Sequence, residues 1–308
     1  MTLLLSGLVV RSPARQLDPF AVALAAVGLL SIMDAVTKHL VIAIGIFAVS
    51  VWRSAANLAL SSALYLPRRR SWPDPRILVV HVSRGIVATV MAFLFFWGIA
   101  RVPLAQAIAL TFIAPLIALL LAALFLGERI GRSSVGGSLT AFAGVIVIVF
   151  GQARAQLGPQ LLLGTAAIIA SALCYAANIV LMRRQALAAR PLEINFFQSL
   201  TVMALWLAAV AATGVPHLPG VQWGWVAVAS ILSTAGTLLF AWAYARGEAS
   251  YLSVTEYSAF IWASACGWIA FHEKVSLYTV AGALSIVGGC LLASRRRIVA
   301  PPEIDIAA

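Results

Sequence analysis

Charged residues are scarce in this sequence: Asp, Glu, Lys and Arg make up 10% of its 308 residues, whereas a soluble domain carries roughly 25%. A water-facing surface cannot be built from so few. The three cysteines lie inside apolar runs, with neither metal-ligand spacing nor a disulfide framework. The HExxH and GxSxG motifs, a histidine cluster and a Walker loop are missing too. These absences argue against a soluble protein, and we expect no metal and no cofactor.

The net charge of +11 does not indicate a nucleic-acid partner. A nucleic-acid-binding domain would cluster its basic residues on a soluble face with interleaved aromatics. Here Lys and Arg lie in short segments between apolar runs. We therefore expect no nucleic acid among the partners.

Long apolar runs account for most of the chain, which is 62% hydrophobic. Residues 102–127, 155–182 and 194–245 contain no charged side chain, and about 20 apolar residues suffice for a membrane-spanning helix. These runs lack the alternation of a membrane β-barrel. The sequence predicts an all-α integral membrane protein with ten transmembrane helices, at 20–40, 46–66, 77–99, 103–126, 134–151, 161–182, 194–213, 223–245, 250–271 and 275–293.

The basic residues predict the orientation, since short cytoplasmic segments are enriched in Lys and Arg. With the N-terminus inside, cytoplasmic segments hold 15 basic residues and the opposite side holds 4, Lys38 among them. We expect a multi-pass protein of the inner (plasma) membrane with both termini cytoplasmic. Residues 1–16 and 295–308 are then cytoplasmic tails.

An internal repeat appears when position 100 is aligned with position 245 and the alignment continues without a gap, which we call the repeat alignment. Ala100-Arg101 then coincides with Ala245-Arg246, and Glu128-Arg129 with Glu273-Lys274. Because five spans are an odd number, the second copy enters the membrane from the opposite side. The sequence predicts two inverted five-helix repeats, at 17–151 and 161–294, a plan used by many transporters with a midplane substrate site.

Three segments carry a resemblance to a known family: FFWGIARVPLAQA at 95–107, FIAPL at 112–116 and LFLGER at 124–129. They resemble the third-to-fourth-helix signature of the drug/metabolite transporter superfamily, in its EamA-like branch. The resemblance extends over roughly residues 18–294. It implies alternating access without ATP hydrolysis and a central cavity lined by helices one, three, four, six, eight and nine. Phe260 and His272 depart from the pattern, where Pro115 and Gly127 stand in the first half.

Four ionisable residues lie inside predicted spans, and such residues are functional hypotheses because burying them in lipid is costly. Asp34 and Arg53 have similar depths and are predicted to pair for coupling or structure; alternatively both reach water at the outer end. Arg84 and Glu256 share a depth nearer the cytoplasm. They are predicted either to bind substrate or protons in one cavity, or to form a structural ion pair.

Polar and aromatic residues form a second group of candidates for substrate binding. His81 lies one turn before Arg84 and is read either as a proton-handling group or as a lone interfacial histidine. The spacing of Gln106, Thr111 and Pro115 predicts a kink in the fourth span. Cavity walls or ordinary helix packing are the two interpretations for Trp97, Tyr175, Asn178, Trp242, Tyr251, Tyr257 and Trp262.

Taken together, the residues favour a secondary active transporter, an exporter, of a small polar metabolite such as an amino acid. The expected partners are this substrate, the lipid bilayer and, as an open alternative, protons. A membrane-embedded enzyme and a non-transporting membrane scaffold remain as rivals. We expect the chain not to be an enzyme, because catalytic motifs are missing. The sequence leaves the oligomeric state open.

Overall fold

The fold comes from a computed structural model, which describes residues 18–69, 72–114, 117, 132–154, 158–186, 188–244, 246 and 255–294. All regular secondary structure within these ranges is helical. The predicted tails, the motif at 124–129, Pro115 and Tyr251 lie outside the described residues.

Ten α-helices follow one another in the described residues, each within one of the ten predicted spans or overlapping it. In chain order they are α1 (Pro19–Ile44), α2 (Ile46–Tyr65), α3 (Pro75–Ile99), α4 (Leu104–Thr111), α5 (Arg132–Arg154), α6 (Pro159–Ala186), α7 (Pro191–Thr213), α8 (Trp223–Tyr244), α9 (Ala259–Phe271) and α10 (Leu277–Ser294).

Local sequence signals set several of these ends. Proline, whose missing N–H costs nothing in the first turn, begins four helices. Asp18 and Asp74 cap α1 and α3 by accepting hydrogen bonds from Phe20 N and Arg76 N at 3.1 and 2.8 Å. Gly45 ends α1 at a φ of 78°, a conformation that glycine adopts without steric cost.

Within the described residues, five stretches are long and apolar enough to cross a membrane: Pro19–Ile44, Pro75–Ile99, Pro159–Asn178, Pro191–Thr213 and Gly220–Phe240. They belong to α1, α3, α6, α7 and α8. Shorter apolar stretches occur in α5, α9 and α10. The helices are thus those of a multi-pass membrane protein, while ten crossings stay a prediction.

Helix contacts occur in equivalent pairs when each of the first five helices, α1 to α5, is exchanged for its counterpart in the second half, α6 to α10 in the same order. The α1–α8 contact has its equivalent in α3–α6, α1–α9 in α4–α6, and α2–α8 in α3–α7. The helices α2, α4 and α5 each pack on their own counterparts, α7, α9 and α10. This is the pattern that a two-fold axis between two halves produces.

Glycines bring α5 and α10 into backbone contact. A Cβ on Gly144 would lie 2.6 Å from Gly282 O, and one on Gly289 would collide with Gly137 O. Since 137 meets 289 while 144 meets 282, the two helices run antiparallel. The repeat alignment turns one contact into the other, so equivalent helices of the two halves point in opposite directions.

Helical structure is interrupted at equivalent places in the two halves. A turn at Phe112 follows α4, and a turn at Tyr257, its partner in the repeat alignment, precedes α9. The two rings meet edge to face, with centroids 5.4 Å apart and an interplanar angle of 86°. The kink predicted for the fourth span is confirmed at residues 112–113, and its counterpart in the second half was not predicted.

Candidate functional site

A buried arginine forms the centre of the site. Arg84 on α3 is 7% exposed; its Nε donates to Asn178 Oδ1 at 3.0 Å, and its Nη1 to Gln185 Oε1 at 2.6 Å. Both acceptors are neutral amides on α6. These bonds satisfy guanidinium donors without neutralising the charge, which leaves Arg84 suited to an anionic group.

The network continues from Gln185 to a histidine and a carboxylate. Gln185 Nε2 lies 2.6 Å from His81 Nδ1, and His81 Nε2 lies 3.3 Å from Glu193 Oε1 on α7. Phe197 stacks on the imidazole at a centroid distance of 5.0 Å. Because both ring nitrogens of His81 have partners in this network, the interpretation as a lone histidine is wrong. We call His81, Arg84, Asn178, Gln185 and Glu193 the Arg84 network.

The Arg84 network takes residues from both halves and has no equivalent at the five symmetry-related positions, all of which the structure describes. The repeat alignment maps His81, Arg84, Asn178, Gln185 and Glu193 onto apolar side chains. All five of these are buried: Val226, Ala229, Met33, Leu40 and Ala48. The network therefore lies at one end of the molecule only, where α3 and α7 begin and α6 ends.

Tyr175 relates the Arg84 network to Glu256, the other charge that the sequence predicted at this depth. Its phenol is within electrostatic range of both Arg84 and Glu256, and Asn178 lies one turn further along α6. The structure thus brings Arg84, Tyr175, Asn178 and Glu256 into one neighbourhood. Tyr257, also predicted here, packs on Phe112 at the helix interruption.

Arg53 packs against α1 on either side of Asp34. Its Nη1 lies 3.1 Å from Met33 Sδ and 3.3 Å from Thr37 Oγ1, and its guanidinium covers the Phe96 ring at 4.4 Å. Asp34 is within electrostatic range of Arg53. The two ion pairs within 4.0 Å found in the described part of the chain involve other residues, so Asp34 and Arg53 are neighbours without direct contact.

Trp97 and Trp242 occupy equivalent positions near the ends of α3 and α8. Each carries the guanidinium of the arginine four residues later on its ring, Arg101 at 3.6 Å and Arg246 at 4.3 Å. Because the helices that hold them are antiparallel counterparts, the two pairs mark opposite ends of the molecule. Their role as cavity walls stays a prediction.

An ion pair at the opposite end was missed by the sequence reasoning. Lys38 Nζ contacts Glu273 Oε1 and donates to Val102 O at 2.8 Å, and Glu273 Oε2 accepts from Leu104 N at 2.7 Å. Lys38, assigned to the external side by charge counting, is 4% exposed within α1. The sequence carried one signal for Glu273, the partner of Lys38: the dipeptide Glu273-Lys274 coincides with Glu128-Arg129 in the repeat alignment.

A small cavity of about 120 Å³ adjoins this ion pair. Gln106, Ser264, Glu273 and Thr279 contribute to its walls. Gln106 Nε2 is buried without a hydrogen-bond partner. Among the residues that the structure describes, no cluster of three His, Cys, Asp or Glu side chains could hold a metal ion.

The chemistry at the two ends differs. The Arg84 neighbourhood offers a guanidinium for a carboxylate, a phenol, an amide and the Glu256 carboxylate for an ammonium group. The Lys38 end offers an ion pair whose members are already matched. The first arrangement combines an anion-binding group with a cation-binding group, as recognition of a zwitterion requires.

Comparison with known proteins gives consistent matches over both halves. The profile of the EamA-like transporter family matches residues 4–150 and 162–295. The chain is 26% identical to a pseudopaline exporter of Pseudomonas aeruginosa, over 87% of this chain and 92% of that protein. It is 31% identical to a probable terminal-alkyne amino-acid exporter of Streptantibioticus cattleyicolor, over 63% of each.

Two further similarities are to a riboflavin transporter and to a solved structure. A riboflavin transporter of Rhizobium johnstonii is 27% identical, over 71% of this chain and 70% of that protein. One crystal structure superposes with a TM-score of 0.59 at 23% identity, covering 90% of this chain and 96% of the other. At that identity the structural likeness concerns the fold alone.

Proposed function

Since the chain belongs to the EamA-like transporter family, we propose that it is a secondary active transporter that exports a small polar metabolite of amino-acid type by alternating access. Relatives named as exporters of pseudopaline and of an alkyne amino acid support the direction and the substrate class. The observation that carries the proposal is Arg84, buried on neutral amides beside Tyr175 and Glu256.

Alternating access is supported by the packing of the two halves. The antiparallel α5–α10 contact and the exchange pattern of helix pairs fit inverted repeats at 17–151 and 161–294 that rock against each other. The interruptions at Phe112 and Tyr257 lie where the halves meet. Broken helices at such a position are a recurring feature of transporter substrate sites.

The proposed orientation places the Arg84 network on the cytoplasmic side, with both termini cytoplasmic. An exporter loads its substrate there, so the zwitterion-binding groups are at the loading end. The Lys38–Glu273 ion pair then lies at the external end. It joins α1 to the α3–α4 and α9–α10 connections, and in this state it closes the external side.

Exchange and accumulation in proteoliposomes, with a panel of labelled amino acids and riboflavin, test the proposal. In Arg84→Lys the charge stays but the planar fork is lost, so we expect transport to fall about tenfold or more, as for one lost charge-assisted hydrogen bond. In Glu256→Gln we expect exchange to persist while accumulation against a gradient is lost.

Arg101→Lys is the matched control: it makes the same change near the opposite end of α3, where loss of the stacking on Trp97 should leave transport near the wild-type level. Normal transport by both Arg84→Lys and Glu256→Gln at wild-type protein levels would contradict the site. If correctly folded protein transports none of the compounds in the panel, the alternative of a non-transporting membrane scaffold is favoured. Chemical conversion of a labelled compound would favour the enzyme.

A further inference from the structure

The Arg84 network contains an amide whose orientation is fixed by its neighbours. Arginine has hydrogen-bond donors and no acceptor, so the atom of Gln185 that faces Arg84 at 2.6 Å must be the carbonyl oxygen. The NH₂ group of Gln185 then faces His81 Nδ1 at 2.6 Å. Because NH₂ can only donate, Nδ1 must be an acceptor and carries no proton.

This requirement fixes the tautomer of His81. With Nδ1 unprotonated, the neutral ring carries its proton on Nε2 and donates it to Glu193 Oε1, 3.3 Å away. The Glu193 side chain is 17% exposed, so it connects the buried ring with the aqueous side. Phe197 covers the face of the ring and prevents it from turning freely.

Protonation of His81 is incompatible with this arrangement. When a proton from water forms a bond to Nδ1, the imidazolium has two donors and no acceptor, and it then faces the NH₂ group of Gln185. Exchanging the oxygen and the NH₂ group by a half-turn of the amide restores a hydrogen bond to Nδ1–H. The same half-turn points NH₂ at Arg84 and breaks its bond to Gln185.

We propose that Gln185 is a coupling residue that links the protonation of His81 to the release of Arg84 for a substrate carboxylate. The inference rests on the proposed function and makes substrate loading at the Arg84 network depend on pH. Among the side chains that the structure describes, the charged groups facing His81 are Glu193 of α7, which stabilises the imidazolium, and Arg84 of α3 itself, which opposes it. From α2, Tyr65 faces Glu193.

The direction of coupling follows from these contacts. A proton taken up at His81 releases Arg84, and a bound carboxylate would in turn neutralise the charge that opposes the imidazolium. Proton and carboxylate therefore favour each other's binding, and loss of one favours loss of the other. Gln185 acts through its neighbours and need not touch the substrate.

Nitrogen-15 NMR of labelled histidine tests the proposal without any substrate. The chain has four histidines, so the triple variant His39→Gln/His217→Gln/His272→Gly leaves His81 as the single labelled residue. At alkaline pH, where the ring is neutral, we expect protonated Nε2 and unprotonated Nδ1. The opposite tautomer in this background would overturn the proposal.

Two substitutions then test the link through Gln185. Arg84→Met removes the donor that orients the amide, so the tautomer preference of His81 should weaken about tenfold, the effect of about one hydrogen bond. Gln185→Glu places acceptors toward both neighbours, so Nδ1 should become protonated while Nε2–H still donates to Glu193. A purely structural role for Gln185 predicts an unchanged tautomer in both variants.

Arg53→Met is the matched control, since it also removes a guanidinium from the apolar interior but contacts Met33 and Thr37 instead of Gln185. Its His81 spectrum should match that of the parent. If Arg84→Met leaves the tautomer unchanged, or if Arg53→Met alters it equally, the coupling is refuted.

The outcome separates the two proposals. If the His81 tautomer changes in Arg84→Met but the protein transports none of the labelled solutes, the proposal for Gln185 stands and the proposed substrate class is wrong. If the protein transports an amino acid but the His81 tautomer is unchanged in Arg84→Met, the proposed transport function stands and the proposal for Gln185 is wrong.

Discussion

The ion pair between Lys38 and Glu273 makes an asymmetric prediction for stability. The ammonium group is held by Glu273 and by Val102 O, while the carboxylate also accepts from Leu104 N. Side-chain exposure is 5% for the lysine and 17% for the glutamate. A stranded carboxylate therefore reaches water more easily than a stranded ammonium group does.

The exposures and the hydrogen bonds set the expected magnitudes. Removing one member of a buried pair typically costs about 3–5 kcal/mol, so Glu273→Gln, which strands Lys38, should cost about 4 kcal/mol. Lys38→Met leaves Glu273 with its Leu104 hydrogen bond and partial hydration, and should cost about 2 kcal/mol. The double variant strands no charge, so it should cost about 3 kcal/mol, less than Glu273→Gln alone, and show a coupling of about 3 kcal/mol.

Unfolding with sodium dodecyl sulfate in mixed micelles, followed by tryptophan fluorescence, measures these free energies. Arg101→Met combined with Glu273→Gln is the control cycle, since Arg101 bonds to Gln160 and Trp97 instead, and its two costs should add. If the Lys38 and Glu273 costs add within about 0.5 kcal/mol, or if Lys38→Met is the more damaging change, the reasoning is wrong.

Three further predictions concern packing, backbone and topology. Gly144→Ala should destabilise the protein by about 1–3 kcal/mol, because its Cβ would lie 2.6 Å from a backbone carbonyl, whereas Gly288→Ala, with open space around it, should be neutral or stabilising in the same unfolding assay. His272→Gly should raise the free energy of unfolding by about 1 kcal/mol, because His272 has a φ of 55° and left-handed backbone costs a side chain about 1–2 kcal/mol. Cysteines introduced at 67–76 should react only from the cytoplasmic side in a background without native cysteines; external labelling at position 70 would contradict the orientation.

The sequence predicted the helices well because apolar runs, prolines and loop charges are local signals. All ten helices of the described residues occur where the spans were expected, and the interruption at Phe112 fell within the predicted kink. The family pattern places glycine where His272 stands, and the structure gives the physical reason, since that residue ends α9 with left-handed backbone.

Side-chain partners were predicted less well, because they depend on which helices pack together. Counting residues along the predicted spans gave Arg84 and Glu256 similar depths, and likewise Asp34 and Arg53. Equal depth does not show whether two side chains face each other, because this also depends on the rotation of each helix about its axis. Gln185 was missed because an uncharged residue near the end of a span gives no signal. Lys38 was missed because it lies close enough to a loop to look exposed.

The exchange pattern of helix contacts has a thermodynamic consequence. If the two halves had identical sequences, the conformer open to one side and the conformer open to the other would be the same structure turned over, with equal free energies. Each would then hold half of the molecules. Only side chains that differ between the halves can remove this degeneracy, and the Arg84 network opposite Val226 and Ala229 is such a difference.

The size of that imbalance decides which conformer predominates at rest. A net difference of about 2.7 kcal/mol is enough for a hundredfold excess of one conformer, and one or two charge-assisted hydrogen bonds supply that much. Substituting residues of the Arg84 network by their apolar counterparts therefore makes the halves more alike and moves the two conformers toward equal populations. Under the proposed alternating access, the residues that differ between the two halves determine how much of each conformer is present.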